Sequence, residues 1–251
     1  MKKILTLGIA ALVAIVMSGC QFNLFAAFDK LDIPSAAELL DQAETDPEGL
    51  VDDVQEYVDS DSITEDNADD IADALAEVYD DAAVKPSGMT DAEWEEVQQR
   101  AAVLAGEIII DNDPDTRYVV ENIVSSVTAA LESGISDPEA IIGGIFPSDM
   151  TQSEFSAILL NLSNAAAAYK DFAGTINPGT ADWMSSAEAG DMVQYAVIAI
   201  VITDINADPD VSETELYNSV MYGTDIPDED YVDPFSTPEL IALLDFAGLD
   251  L

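Results

Sequence analysis

The chain has 251 residues, of which 51 are Asp or Glu and 7 are Lys or Arg, a net charge of −44. That balance repels nucleic acid and anionic lipid, and no cluster of basic residues overrides it, so nucleic acid is excluded as a partner. Histidine is absent and the single cysteine is Cys20, which removes Ser-His-Asp and Cys-His machinery and zinc sites built on imidazole or thiolate.

An enzyme made from these residues would have to use carboxylates, Tyr, Lys or an oxygen-bound metal. Apolar residues make up 49% of the chain, enough to bury a core and to exclude wholesale disorder. Aspartate outnumbers glutamate and lysine is scarce, a balance similar to that of salt-adapted surfaces, where screening makes self-repulsion tolerable. A cation-facing surface is the functional alternative.

Lys2 and Lys3 precede an apolar run, Ile4 to Met17, and the small residues Ser18 and Gly19 lead from it to Cys20. The run is too short to span a bilayer, and charge, apolar run and small residues in that order form a secretory signal. Ser18-Gly19-Cys20 resembles the lipobox of bacterial lipoproteins, with Met17 where that family most often has leucine. The resemblance covers the first twenty residues or so. It implies acylation of Cys20, palmitate included, and attachment to the membrane through an N-terminal lipid. Acylation would also remove a lone thiol from an oxidising compartment, and acyl chains contribute about 0.8 kcal/mol per buried methylene. Gln21 stands where some lipoproteins carry the aspartate of inner-membrane retention, so the resemblance implies an outer-membrane or surface destination. On this reading residues 1–19 are a signal peptide, 20–34 the lipidated cysteine and a tether, and 35–251 one acidic helical domain.

Beyond the tether, each predicted helix begins at a recognisable cap. Ser35 with Glu38 forms a capping box ahead of Leu39, Leu40 and Ala43. Asp46-Pro47 starts the next, with Leu50, Val51, Val54, Tyr57 and Val58 at helical spacing. Thr64 opens a third that buries Ala68, Ile71, Ala72, Leu75, Tyr79 and Ala82, and Pro86-Ser87-Gly88 breaks the chain. Thr90 and Glu93 box a fourth carrying Trp94, Val97, Ala101, Leu104 and Ile108, which ends at Asn112. Asp113-Pro114 begins a fifth, and Asp137-Pro138 a short sixth closed by Pro147. Thr151 and Glu154 box the longest stripe, from Phe155 through Leu162, Ala165 and Tyr169 to Phe172, ahead of a loop over 174–182. A helix near 185–204 carries an all-round apolar run, Ala196 to Ile202, that reads as a buried central helix. Two shorter helices, about 213–222 and 238–247, finish the chain. No stretch alternates with period two. The predicted class is all-α, an irregular array of about ten amphipathic helices.

One nine-residue segment is echoed. Pro86-Ser87-Gly88-Met89-Thr90-Asp91-Ala92-Glu93-Trp94 recurs as Pro147-Ser148-Asp149-Met150-Thr151-Gln152-Ser153-Glu154-Phe155, with Val97 in step with Ile158 and Leu104 with Ala165. A duplicated helical hairpin in a solenoid-like array would produce this; so would cap chemistry drawn from a small alphabet.

Two constellations could carry chemistry. Asp204, Asn206, Asp208, Ser212 and Glu215 fall at positions one, three, five, nine and twelve of a loop flanked by helices, with Asp210 among them. This resembles the calcium loop of EF-hand and dockerin-like proteins, and the resemblance implies calcium as a cofactor. Position six, however, holds Pro209, with φ locked near −65°, where the family has glycine. Ser212 and Glu215 also read as an ordinary capping box. Glu132-Ser133-Gly134 resembles the Glu-Ser start of lytic transglycosylases, which implies Glu132 as a general acid, although the Gly-Leu-Met-Gln stretch of that family is missing. Asp111, Asp113 and Asp115 lack a closing glutamate and read as a helix connection. Taken together, the residues favour a lipid-anchored envelope protein, periplasmic or surface, that binds or scaffolds a partner and is not an enzyme. A calcium-binding lipoprotein and a carboxylate-based cell-wall glycan-cleaving enzyme are the alternatives.

Overall fold

The computed structural model describes residues 31–80, 82–133, 145–176, 183–184, 186–207, 212–223 and 237–246. Among them lie nine helices and no strand: α1 Ala36–Thr45, α2 Pro47–Asp59, α3 Glu65–Tyr79, α4 Asp91–Asp111, α5 Pro114–Ser133, α6 Gln152–Thr175, α7 Ser186–Asn206, α8 Glu213–Tyr222 and α9 Pro238–Phe246. The fold is an irregular all-α array. The short helix expected after Asp137 lies outside the described residues, as do the leader and Cys20. No described helix is long and apolar enough to cross a membrane.

The caps are where the sequence places them. Ser35, Thr64, Thr90, Thr151 and Ser212 each close a capping box with the residue three positions on, so the first free N–H groups of five helices are satisfied locally. In four of these the partner is a glutamate, Glu38, Glu93, Glu154 or Glu215, and the hydrogen bonds it accepts from its cap hold its carboxyl below the usual range. Asp46 caps α2 through Gly49 N, with Pro47 at the first helical position. Asp113 caps α5: its Oδ1 accepts from the backbone N–H of Asp115 and Thr116, and its Oδ2 from Asn161 Nδ2 of α6 at 2.6 Å.

Two apolar clusters share one wall. On one side of α4, Val97, Ala101, Leu104, Ala105 and Ile108 pack with α1, α2 and α3, through Leu39, Leu50, Val54, Ile71, Leu75 and Val78. On the other side, Ala102, Val103 and Ile110 join α5 to α9, whose largest contributions are Phe155, Leu162, Tyr169 and Phe172 of α6 and Met192 to Ile200 of α7. Helix α4 is therefore apolar around most of its circumference, the signature of a core helix. Its one deeply buried polar side chain, Gln99, donates to Thr175 O at 3.1 Å and accepts from Trp183 Nε1 at 3.4 Å, which joins it to the end of α6.

Small residues let α6 close on α4. Ala165, Ala166 and Ala168 are buried along the contact, and the ring of Tyr169 lies against Gly106 so closely that a Cβ there would sit 2.6 Å from Cζ. The repeated segment takes the same form twice, with Met89 N bonded to Pro86 O and Met150 N to Pro147 O ahead of the two capping boxes. The helices it launches, α4 and α6, make the most extensive contact in the array.

Three expectations need correcting. Leu40 faces solvent, at 40% exposure, because α1 uses Leu39 and Ala43 to reach the core. Helix α3 ends at Tyr79, so Ala82 stands in the exposed turn beyond it. Helix α6 runs on through Gly174 to Thr175, two residues into the expected loop. The apolar run of α7 is buried from Ala196 to Ile200, and only partly at Val201 and Ile202. It lines one cluster, whereas α4 lines both.

Substitution Gly106→Ala tests that close approach. Overpacking against the immobile Tyr169 ring costs about 1–3 kcal/mol, offset by about 1 kcal/mol of helix propensity. The expected outcome is a net loss of up to about 2 kcal/mol in urea unfolding, partly recovered when Tyr169→Leu is added.

Candidate functional site

A cavity of about 380 Å³ opens where four elements meet. The last turn of α2 contributes Tyr57 and Val58, and the turn after it Asp61 and Ile63. The C-terminal end of α4 brings Glu107, Ile108, Asp111 and Asn112; α5 adds Arg117 and Glu121 from its first turns, and α7 adds Tyr195.

Local sequence explains how each side chain arrives there. Helix α2 ends in a Schellman turn, with Ser62 N bonded to Tyr57 O at 2.9 Å and Asp61 N to Val58 O at 3.0 Å. That turn places Asp61 at φ +52°, a position glycine normally fills. Ser62 is locked beneath by a hydrogen bond between its Oγ and Ser60 Oγ and by one that its Oγ accepts from Leu31 N. Asn112 ends α4 by donating both its backbone N–H and its Nδ2 to Ile108 O. Since Glu107 and Asp111 are one turn apart, they share a face of α4.

The electrostatics of the cavity are one-sided. Four carboxylates, Asp61, Glu107, Asp111 and Glu121, face one guanidinium, that of Arg117. The negative ends of the α2 and α4 dipoles also converge there. Arg117 is exposed, and its Nε lies 4.0 Å from Glu121 Oε1. Asp111 is largely buried; burial, opposed by Arg117 and reinforced by Glu121, pushes its carboxyl up to about 6.

Tyr169 packs on α4 at Gly106, outside the cavity lining. Its side chain is fully buried and its hydroxyl has no hydrogen-bond partner. Burial raises its pKa well above the ordinary phenol value, and the charges adding to that are Glu107 and Asp111, with Tyr195 a third neighbour. All three line the cavity. The hydroxyl end of the ring lies over Gly106, next to Glu107 in the chain. An orphaned buried hydroxyl is rare in a folded protein, because it costs about 1–3 kcal/mol relative to a partnered one.

Residues singled out from the sequence lie elsewhere. Asp204 Oδ1 accepts from Lys170 Nζ of α6 at 2.7 Å, and Asp204 Oδ2 is buried without a partner. Asn206 ends α7. Ser212 and Glu215 form the cap of α8, with Glu215 Oε2 accepting from Ser212 Oγ at 2.6 Å and from Ser212 N at 2.9 Å. Asp208 and Asp210 fall outside the described residues, as do Cys20 and the side chain of Glu132. No cluster of three or more Asp and Glu that could hold a metal ion occurs among the described residues. The cavity itself drew no notice in the sequence, where Asp111 reads as part of a helix connection. Its one legible signal is Asp61, an aspartate at a helix C-terminus where glycine is usual.

No protein-family model, curated protein or solved structure matches this chain.

The raised pKa of Asp111 has a signed consequence. Between the unfolded value of 3.8 and the folded value of about 6 the native state holds more protons than the unfolded state, so stability falls as pH rises through that window. The ionised form costs on the order of 3 kcal/mol. Asp111→Asn should therefore be more stable than wild type above pH 6 and should lose the advantage near pH 4, measured as Tm in parallel pH series.

Proposed function

We propose that this is a lipid-anchored cell-envelope protein that binds a small cationic solute in the cavity between α2, α4, α5 and α7. The carrying observation is the cavity, whose 380 Å³ falls in the range of small-molecule sites and whose lining places four carboxylates against one guanidinium at two helix C-termini. Tyr57 and Tyr195 add ring faces able to hold a cation. The lipobox-like Ser18-Gly19-Cys20 supports attachment by acylation of Cys20, with the acidic domain held off an anionic surface by its own charge.

Asp111 also supports a second reading, carboxylate-based cleavage of cell-wall glycan. A carboxyl with its pKa near 6 suits a general acid, and in this reading Asp111 takes the place expected for Glu132. Release of soluble fragments from peptidoglycan by wild type but not by Asp111→Asn would favour the enzyme. The binding reading expects no release from either.

Two measurements test the proposal. Cells fed labelled palmitate should incorporate it into wild type and not into Cys20→Ser, which should accumulate as unprocessed precursor; a soluble, unlabelled wild type would refute the anchor. A thermal-shift panel of cationic, neutral and anionic solutes should raise the Tm of the full chain in detergent for cations alone, and Asp111→Asn should respond less.

A further inference from the structure

We infer that two copies of this chain pair through the outer face of α6, with Leu160, Asn164 and Ala167 of each packed against the same face of the other. Neither the cavity nor the anchor takes part.

The echoed segments set α4 and α6 in one register, in which Gln99, Val103, Gly106 and Ile110 answer to Leu160, Asn164, Ala167 and Asp171. Helical spacing places each set on a single face. On α4 that face is buried and holds α6: Gly106 receives the Tyr169 ring, and Gln99 donates to Thr175 O. Helix α4 turns Val97, Ala101, Leu104 and Ile108 back on α1 to α3. Their counterparts Ile158, Leu162, Ala165 and Tyr169 are buried with Ala102, Val103 and Ile110 of α4. Helix α6 thus repeats the inward half of the α4 packing and leaves the outward half open.

Its neighbours stop at the edges of that face. Helix α5 meets one edge, where Asn161 donates to Asp113 Oδ2. Helices α7 and α8 meet the other, through Lys170 on Asp204 and Ser156 on Glu213. Between the edges Ala157, Leu160, Asn164 and Ala167 are exposed. Leu160, at 61%, is the most open large aliphatic side chain in any described helix.

Charge selects the occupant. From Phe155 to Tyr169 no residue is charged, in a chain whose net charge is −44. A cationic partner is drawn to the acidic surface elsewhere, whereas two copies repel least where two uncharged faces meet. A twofold axis near Leu160 and Asn164 makes the face self-complementary and runs the two α6 helices antiparallel, with opposed dipoles. Leu160 of each copy then lies beside Asn164 of the other, and Asp171 falls opposite Ser153, at the positive end of the other helix. One helix face is well below the roughly 800 Å² per partner of a stable complex. The dimer is therefore weak, with a Kd on the order of 100 µM.

The test is sedimentation equilibrium of the full chain in density-matched detergent, over about 10–500 µM. Wild type should move reversibly from 26.7 kDa toward twice that mass. Added NaCl should tighten it about threefold or more as repulsion is screened. Leu160→Glu should weaken association more than about tenfold, because it buries an unpaired charge on each side. Asn164→Asp, nearly the same in shape, should weaken it about three- to tenfold at low salt. Neither variant should lose Tm at low concentration, since both positions are open in the single copy. Leu40→Glu makes the same charge change at another exposed leucine and should leave Kd unchanged. A wild type monomeric throughout, or equal weakening by Leu160→Glu and Leu40→Glu, would overturn the inference. So would a lower Tm in dilute Leu160→Glu, which would mean that the face is covered within one chain.

Discussion

The array depends on α4 being buried from two directions at once. A helix that packs on one side needs a single apolar stripe, whereas α4 presents Val97, Leu104 and Ile108 to one cluster and Val103 and Ile110 to the other. Its alanines fill the angles between, and Gly106 yields the space taken by the Tyr169 ring. Neither cluster can be dismantled without stripping a face of the same helix, so the described helices are coupled through it. The cavity lies at the C-terminal end of this wall, and its inner carboxylates are therefore anchored in the most constrained element of the molecule.

Charge is distributed with similar economy. The four basic side chains among the described residues are each set against a carboxylate: Lys85 on Asp91, Arg100 on Asp52, Arg117 near Glu121 and Lys170 on Asp204. The exposed pairs contribute little individually. Most of the remaining acidic groups face water, while α4 carries Glu107 and Asp111 partly inward. A surface so negative repels anions at a distance and raises the local concentration of cations, which a cavity of the same sign then concentrates further.

Most of the fold is legible from the residues alone, because caps and apolar spacing act locally. Ser35, Thr64, Thr90, Thr151 and Ser212 each announce a helix that the structure contains. The role of α4 is less legible, since Ala102 and Ala105 look neutral in a sequence and only the neighbouring helices decide that both are buried. The cavity is harder still. Its lining is gathered from four elements separated by up to about 140 residues, and each acidic member resembles the many that stay in water. Burial of Asp111 and isolation of the Tyr169 hydroxyl are tertiary facts with no local signature. The calcium-like loop illustrates the converse: Asp204 and Glu215 align well in sequence, yet Lys170 and Ser212 engage them in space.

The two echoed segments also differ in what covers them. Met150 and Phe155 are buried, Tyr217 of α8 donates to Met150 O at 2.8 Å, and Ser156 is bonded to Glu213. Their counterparts Met89 and Trp94 remain partly open. The same local motif thus occurs once bolted and once bare, and identical caps do not confer identical protection. Amide exchange should begin at the less covered segment, Pro86 to Trp94, and lag at the covered one, Pro147 to Phe155, with proteolytic nicking following the same order. The less covered of the two turns is the one that launches the central helix, so protection there rests on Met89 and Trp94 alone.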